Sequence, residues 1–279
     1  MSKKRSKAKT KRNIMDVIYY VLIILVACVC AGPFLWLVLS SLRTNANIWD
    51  LHIDISTLTL SNYSGVFGFM NMPRYIWNTV VLTVAGILMD VVLSSMCAYP
   101  LATMQFRGKN IIMGMLLSTM IIPASAGTII NYLTISKMGL IDTMLAVILP
   151  SGSKVFSIIL LRQAYLQVPG ELIDAGRIDG ASEISIWARI MLPGILPTVS
   201  TIIILDFIGS WNSFLWPLIV LQTPDKYPLA TALKYLNGSF NYKFGYMAAG
   251  CVFSMLPTIA IFIAFQKNYI EAVAGAVKG

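Results

Sequence analysis

The run IMDVIYYVLIILVACVCAGPFLWLVL, Ile14 to Leu39, decides the class of fold. Its only charged residue is Asp16. A helix needs ~20 apolar residues to cross a hydrocarbon core, and in lipid its backbone groups must pair within the segment. The whole chain follows this lead. Of its 279 residues 57% are hydrophobic and 12% charged, with a mean hydropathy of +0.75, where soluble domains carry about 25% charged residues. The expected fold is an all-α polytopic membrane protein. The apolar run continues past Cys28 to the length of a full span, so it reads as a retained first helix and not as a leader ending at Leu25-Val26-Ala27-Cys28.

The formal charge of +9 points to a membrane surface and not to nucleic acid. Seven basic residues crowd into SKKRSKAKTKR ahead of the first span, the mark of a cytoplasmic arm beside anionic lipid. No basic surface interleaved with aromatics follows it. Cys28, Cys30, Cys97 and Cys251 all fall in apolar runs without metal-site spacing, and His52 is the only histidine. A histidine-based metal site or catalytic triad is therefore not expected.

About six transmembrane helices are predicted, over 14–40, 75–103, 110–132, 144–165, 196–221 and 244–267. An even number places both termini on one side. With that side cytoplasmic, fourteen Lys and Arg lie inside and six outside, mostly because of the N-terminal arm. The organisation reads as a basic cytoplasmic arm at 1–13, a first transmembrane helix and extracellular connector at 14–74, and a core at 75–279.

Between the fourth and fifth spans stands DAGRIDGASEISIWARIMLPG, Asp174 to Gly194, too charged and glycine-rich for lipid. Pro169 suits a helix start and Glu171 its positive end. Asp179-Gly180 reads as a break, with Asp179 a possible cap for a second helix from Ala181. On that helix Ala181, Ile184, Ser185, Ala188 and Leu192 share a face, and Pro193 closes the unit. From the residues alone two readings stay open, an amphipathic helix at the lipid headgroups and a protein-docking element. The three acids come without histidine, metal pattern or nucleophile, which excludes a catalytic constellation.

At this point the chain resembles importer-type ABC permeases. Their cytoplasmic motif runs EAA, three residues, G, nine residues, I, one residue, LP. Here it reads Asp174-Ala175-Gly176, Gly180, Ile190 and Leu192-Pro193 with every spacing kept, but with Asp for Glu and Gly for Ala. The segments MGLIDTMLAVILP, LLRQAYLQVPGELIDAGRIDGAS, WNSFLWPLIVL and AGAVKG are similar to carbohydrate-importer permeases of the maltose-transporter MalG-like type. The resemblance implies that the loop near 169–193 is a cytoplasmic coupling helix seated in a cleft on an ATPase subunit. Asp174, Ala175, Gly176, Asp179, Gly180, Ala181, Ile184, Ile190, Leu192 and Pro193 would make or shape that contact. It further implies a second homologous permease subunit making a heterodimer, two cytoplasmic ATPases holding MgATP, an extracellular solute-binding protein, and a bacterial or archaeal cytoplasmic membrane.

No GxxxxGK[ST] phosphate loop occurs in the chain, so no nucleotide cofactor is expected in it and it is not expected to be an enzyme. The expected function is a permease subunit of an ATP-driven sugar or oligosaccharide importer. For its pathway the candidates are Asn78, Asn131, Tyr132, Trp211, Asn212, Phe214 and Trp216, which combine flat apolar faces with polar handles. An interfacial aromatic belt and interhelical hydrogen bonding are the alternatives for these residues. Where the family often has Pro-Leu-Tyr, this chain has Ile130-Asn131-Tyr132. The resemblance suggests that Leu236, Asn237, Gly238, Ser239 and Phe240 contact the binding protein, while Lys226, Lys234 and Lys243 nearby would favour an anionic sugar. Asp90 and Asp206, acids within spans, support a different reading, an ion-coupled secondary carrier.

Overall fold

The computed structural model describes residues 2–44, 55–237 and 244–277. They form two compact units, one of Met1–Met70 with Ser239–Phe253, the other of Asn71–Gly238 with Ser254–Gly279. Among the described residues there is no strand, only an antiparallel bridge between Arg43 and Leu58.

In the first unit, α1 (Ser2–Ser41) contains a membrane-length stretch, Met15–Ser41, at the first span expected over 14–40, with a mean hydropathy of 2.8 in its most apolar part. From Val17 to Ala31 it carries no charged residue and is exposed on every face. A helix apolar all round belongs in lipid or against other helices. Where α1 ends, a short helix α2 (Ser61–Phe69) packs across it. The Asn62 amide donates to the Ser41 and Arg43 carbonyls at 2.9 and 2.7 Å. Tyr63 and Phe67 meet the Phe253 ring edge-on at 5.5 and 5.3 Å. A Cβ on Gly245 would lie 2.7 Å from the Asn62 amide, so this approach requires glycine.

The second unit is organised by α3 (Met72–Thr103), about 48 Å long at 1.5 Å per residue. Thr79, Thr83, Gly86, Asp90, Ser94, Ala98 and Ala102 recur every three or four residues along its buried side. Small residues at that spacing let helices approach closely within a membrane. After α3 come α4 (Lys109–Thr119), α5 (Ala124–Lys137), α6 (Met144–Ile148) and α7 (Val155–Tyr165). The loop pieces α8 (Glu171–Ile178), α9 (Glu183–Ile186) and α10 (Leu192–Gly194) lead into α11 (Leu196–Trp211), α12 (Leu215–Val220), α13 (Leu229–Asn237) and α14 (Phe244–Val277). The core joins Ala98, Tyr99, Leu101 and Ala102 of α3, Ile158, Leu161 and Tyr165 of α7, and Val199 and Ile202 of α11.

Long apolar runs are less continuous than expected. Among the described residues three helices are long and apolar enough to cross a membrane, or up to five if two bent pairs each count as one span. The expected count of six is not confirmed. The expected third span, 110–132, is divided into α4 and α5 at Met120–Pro123. Proline lacks the N–H that would continue the ladder, and it pushes the preceding residue out of the α region. The fourth bends by 45° between Met144–Ser151 and Val155–Tyr165. The fifth stops at Trp211 and resumes as α12, and the loop before it enters at 80°.

The connection between α5 and α6 is fastened to the segment after α12 through Asp142, which takes a left-handed φ of 61°. Its carboxylate accepts from Lys226 Nζ at 2.8 Å, Thr223 Oγ1 at 2.6 Å, and the Gln222 and Thr223 N–H groups, both at 2.9 Å. Lys226 first, then Thr223, hold this carboxyl well below the usual carboxylate range.

Candidate coupling loop and inter-helix cavity

The loop is a folded hairpin with one packed side. Gly170 precedes α8, with Glu171 and Asp174 in its first turn and Arg177 in its last, the order its dipole favours. Pro169 lies just before this start and not inside it. At the other end the Gly180 N–H reaches the Arg177 carbonyl at 3.0 Å and the Ala181 N–H the Gly176 carbonyl at 2.9 Å. That pair of bonds is a Schellman cap, and it requires the left-handed φ of +78° that Gly180 adopts. Asp179 therefore ends α8 and does not open the next helix. Ser182 does so, its Oγ accepting the Ser185 N–H at 3.3 Å, and α9 starts at Glu183, two residues later than expected.

Beyond α9 the chain widens into a π-turn, Trp187–Met191, in which the Leu192 N–H bonds to the Trp187 carbonyl five residues back. Pro193 follows at once. Ile173, Ile186 and Met191 are buried against the α3 and α7 core. Gly176 sits where a Cβ would lie 3.1 Å from Ile190 Cδ1 and 3.2 Å from Ile186 Cγ1. Of the expected common face, Ala181, Ser185 and Leu192 are half-buried while Ile184 and Ala188 are exposed. Ile184 is 68% exposed and Ile178, which sequence reasoning missed, 87%. Asp174 and Ala175 are exposed beside them.

One carboxylate joins the loop to the long span. Tyr99 Oη of α3 donates to Glu183 Oε2 at 2.6 Å, and Arg177 Nε of α8 donates to Glu183 Oε1 at 2.8 Å. Arg177 also lies 3.7 Å from Asp174. The same contacts hold Arg177 more firmly in its charged form, Glu183 first.

Between the spans of the second unit lies a half-open cavity of about 360 Å³. Thr128 and Asn131 of α5, Ser151, Lys154, Ser210 of α11 and Trp216 of α12 contribute to its lining. The Trp216 indole is fixed by its bond to the Ala146 carbonyl at 3.0 Å. So of the expected pathway residues, Asn131 and Trp216 come together here. Asn78 does not, since its amide is buried and donates to the Asp225 and Tyr227 carbonyls at 2.8 and 3.0 Å. Trp211 is buried, stacked on Phe207 and bonded to the Ser254 carbonyl at 2.9 Å. Asn212 bonds back to Ile208, and Tyr132 and Phe214 are half-buried outside the lining. Leu236 and Asn237 end α13, while Gly238, Ser239 and Phe240 lie outside the described residues.

The two intramembrane acids are committed to packing. Asp90 accepts from Ser94 Oγ at 2.6 Å, Ser157 Oγ at 2.6 Å and the Lys154 N–H at 2.7 Å. It thereby caps the start of α7 from α3. Asp206 pairs with Lys154 Nζ. The ion-coupled carrier reading is not supported.

The loop and most of the cavity lining lie inside a segment, residues 90–274, that matches the binding-protein-dependent transport system inner membrane component family. The arabinooligosaccharides transport permease AraQ of Bacillus subtilis (strain 168) is 34% identical over 253 residues, covering 88% of this chain and 90% of that protein. The lactose transport permease LacG of Rhizobium radiobacter is 28% identical over 268 residues, covering 96% and 98%. In fold, the chain is similar to a bacterial ABC transporter chain involved in import of the acidic polysaccharide alginate, with a TM-score of 0.83 at 23% identity over 91% of this chain and 96% of that one. The family match takes in more than half of the chain, including the hairpin that sequence and geometry single out: this is a multi-pass membrane permease of the binding-protein-dependent transport system inner membrane component family.

Proposed function

We propose that the chain is the transmembrane permease subunit of an ATP-driven importer for a sugar or oligosaccharide. It forms half of the pathway with a second homologous permease and couples through residues 174–193 to a cytoplasmic ATPase. Two such ATPases bind and hydrolyse MgATP, a solute-binding protein delivers the substrate outside, and both termini are cytoplasmic. The permease core runs over 75–279, and the segment around Leu236–Phe240 meets the binding protein. AraQ and LacG, by their names, carry oligosaccharides and lactose, which supports the substrate class.

The observation that carries the coupling role is the two-sidedness of the hairpin. One side is packed without exposure at Ile186 and Met191, while Ile178 and Ile184 project from the tip at 87% and 68% exposure. An apolar tip on a rigid, charged hairpin suits a cleft in a protein partner. ATP-driven closure of the ATPases would move that tip, and the hairpin's core contacts and the Glu183–Tyr99 bond would pass the motion to α3.

The test is copurification of the complex and uptake into proteoliposomes. Uptake should require hydrolysis-competent ATPase, and cysteines placed at Ile178 and Ile184 should cross-link to it. Uptake without ATP, or cross-links to lipid alone, overturns the proposal. Asp174→Asn should weaken ATPase association by about threefold, as expected for an exposed charge contact worth at most ~1 kcal/mol.

A further inference from the structure

Lys154 is the only charged side chain among the residues that line the cavity. Its ammonium is held by Asp206 of α11 and its backbone N–H by Asp90 of α3, both acids being buried. One ammonium thus stands with two buried carboxylates. The cavity wall presents donors without any excess of positive charge. An ammonium has three donors, and its bond to Asp206 Oδ1 uses one. The Lys154 side chain is 38% exposed, so further donors can serve a ligand. Around it Ser151, whose proton goes to the Ile148 carbonyl, offers an acceptor oxygen, Ser210 a hydroxyl, Asn131 an amide, and Trp216 an indole ring fixed by its own hydrogen bond.

We propose that this cavity is a binding subsite for an uncharged saccharide unit, and that the Lys154–Asp206 pair makes it reject uronates. The inference rests on the importer reading and adds the charge class of the substrate. A sugar hydroxyl accepts from the ammonium and donates to a neighbouring oxygen, leaving the charge balance untouched. A carboxylate would be a third anion beside a single cation, in surroundings that screen like charges poorly. Lys226, which sequence reasoning set toward an anionic sugar, is instead bonded to Asp142.

The experiment uses the intact complex of both permeases and the ATPases in nanodiscs, titrated calorimetrically with uncharged and uronate oligosaccharides of matched length, maltotriose and trigalacturonate among them. The wild type should bind at least one uncharged member about tenfold tighter than its uronate counterpart, a difference of ~1.4 kcal/mol. Asp206→Asn, which removes one of the two carboxylates and the ion pair to the ammonium, should move that ratio about tenfold toward uronates. The Lys154→Gln/Asp206→Asn variant removes both members of the ion pair while Asp90 keeps its Ser94, Ser157 and backbone donors, and should weaken uncharged ligands without gaining uronates. Preference of the wild type for uronates, an unchanged ratio in Asp206→Asn, or no saccharide bound by a complex still hydrolysing ATP would each overturn the proposal. Retention of hydrolysing ATPase in the same preparation separates these results from a failure of the importer reading.

Discussion

Two helices of membrane length, α1 and α3, read almost alike by hydropathy and are built for different surroundings. The most apolar stretches of α1 and α3 average 2.8 and 2.2. Yet none of that stretch is buried in α1, against a third in α3. The difference lies in where polar and small residues fall. In α3 they recur along one side as Thr79, Thr83, Gly86, Asp90 and Ser94, and α7 and α11 close over them. From Val17 to Leu39, α1 carries no charged residue and shows no comparable polar stripe. Hydropathy measures compatibility with lipid, whereas the pattern of its exceptions marks what packs on protein.

The sharpest way to break this contrast is Asp90→Ala. It strips the acceptor from Ser94, Ser157 and the start of α7, and hydrogen bonds to a charged group are worth about 1.5–3 kcal/mol each. A loss of about 3 kcal/mol or more is expected in thermal unfolding of the purified complex. Leu25→Ala in α1, a comparable truncation at an exposed position, should change stability by less than about 0.5 kcal/mol. Equal losses would erase the distinction between the helices.

Next comes Gly180→Val. No neighbour lies within 4 Å of a Cβ there, so only the left-handed backbone resists, at roughly 1–2 kcal/mol. The spans should insert normally while sugar-stimulated hydrolysis and uptake come apart. Normal coupling in this variant would show that the Schellman turn is dispensable.

These expectations also show what was legible in the sequence. Lipid-compatible composition gave the fold class, because ~20-residue apolar runs have few other uses. Asp179-Gly180 gave the turn, because few residues accept its backbone. The division at Pro123 escaped a hydropathy reading, which averages over a single missing N–H. Asn78 and Trp211 looked like sugar ligands because their partners, Tyr227 and Ser254, lie 149 and 43 residues away. Glu183 has no role in the sequence reading for the same reason, its donor Tyr99 being 84 residues distant. Local chemistry is visible in a sequence, but the occupancy of a polar group is decided by tertiary neighbours.

A smaller effect is expected from Gly176→Ala. Its Cβ would press on the ends of the Ile186 and Ile190 side chains, which can shift by a few tenths of an ångström. A loss of less than about 1 kcal/mol, with coupling retained, is expected from thermal unfolding and uptake. Smallest at neutral pH is the titration of Asp142. Its folded pKa is depressed, so the stability it contributes is present above its unfolded value, 3.8, and lost as pH falls toward the folded one. Unfolding midpoints of the wild type should therefore fall below about pH 4 more steeply than those of Asp142→Asn.

The π-turn at Trp187–Met191 has a consequence of its own. It stores one residue more than an α-helical register would hold. Removing exposed Ala188 would close the bulge into ordinary α-helical turns and leave the residues on either side on their present faces. The wide turn is thus a slack link, taking up one residue of chain without turning the hairpin away from the helix behind it.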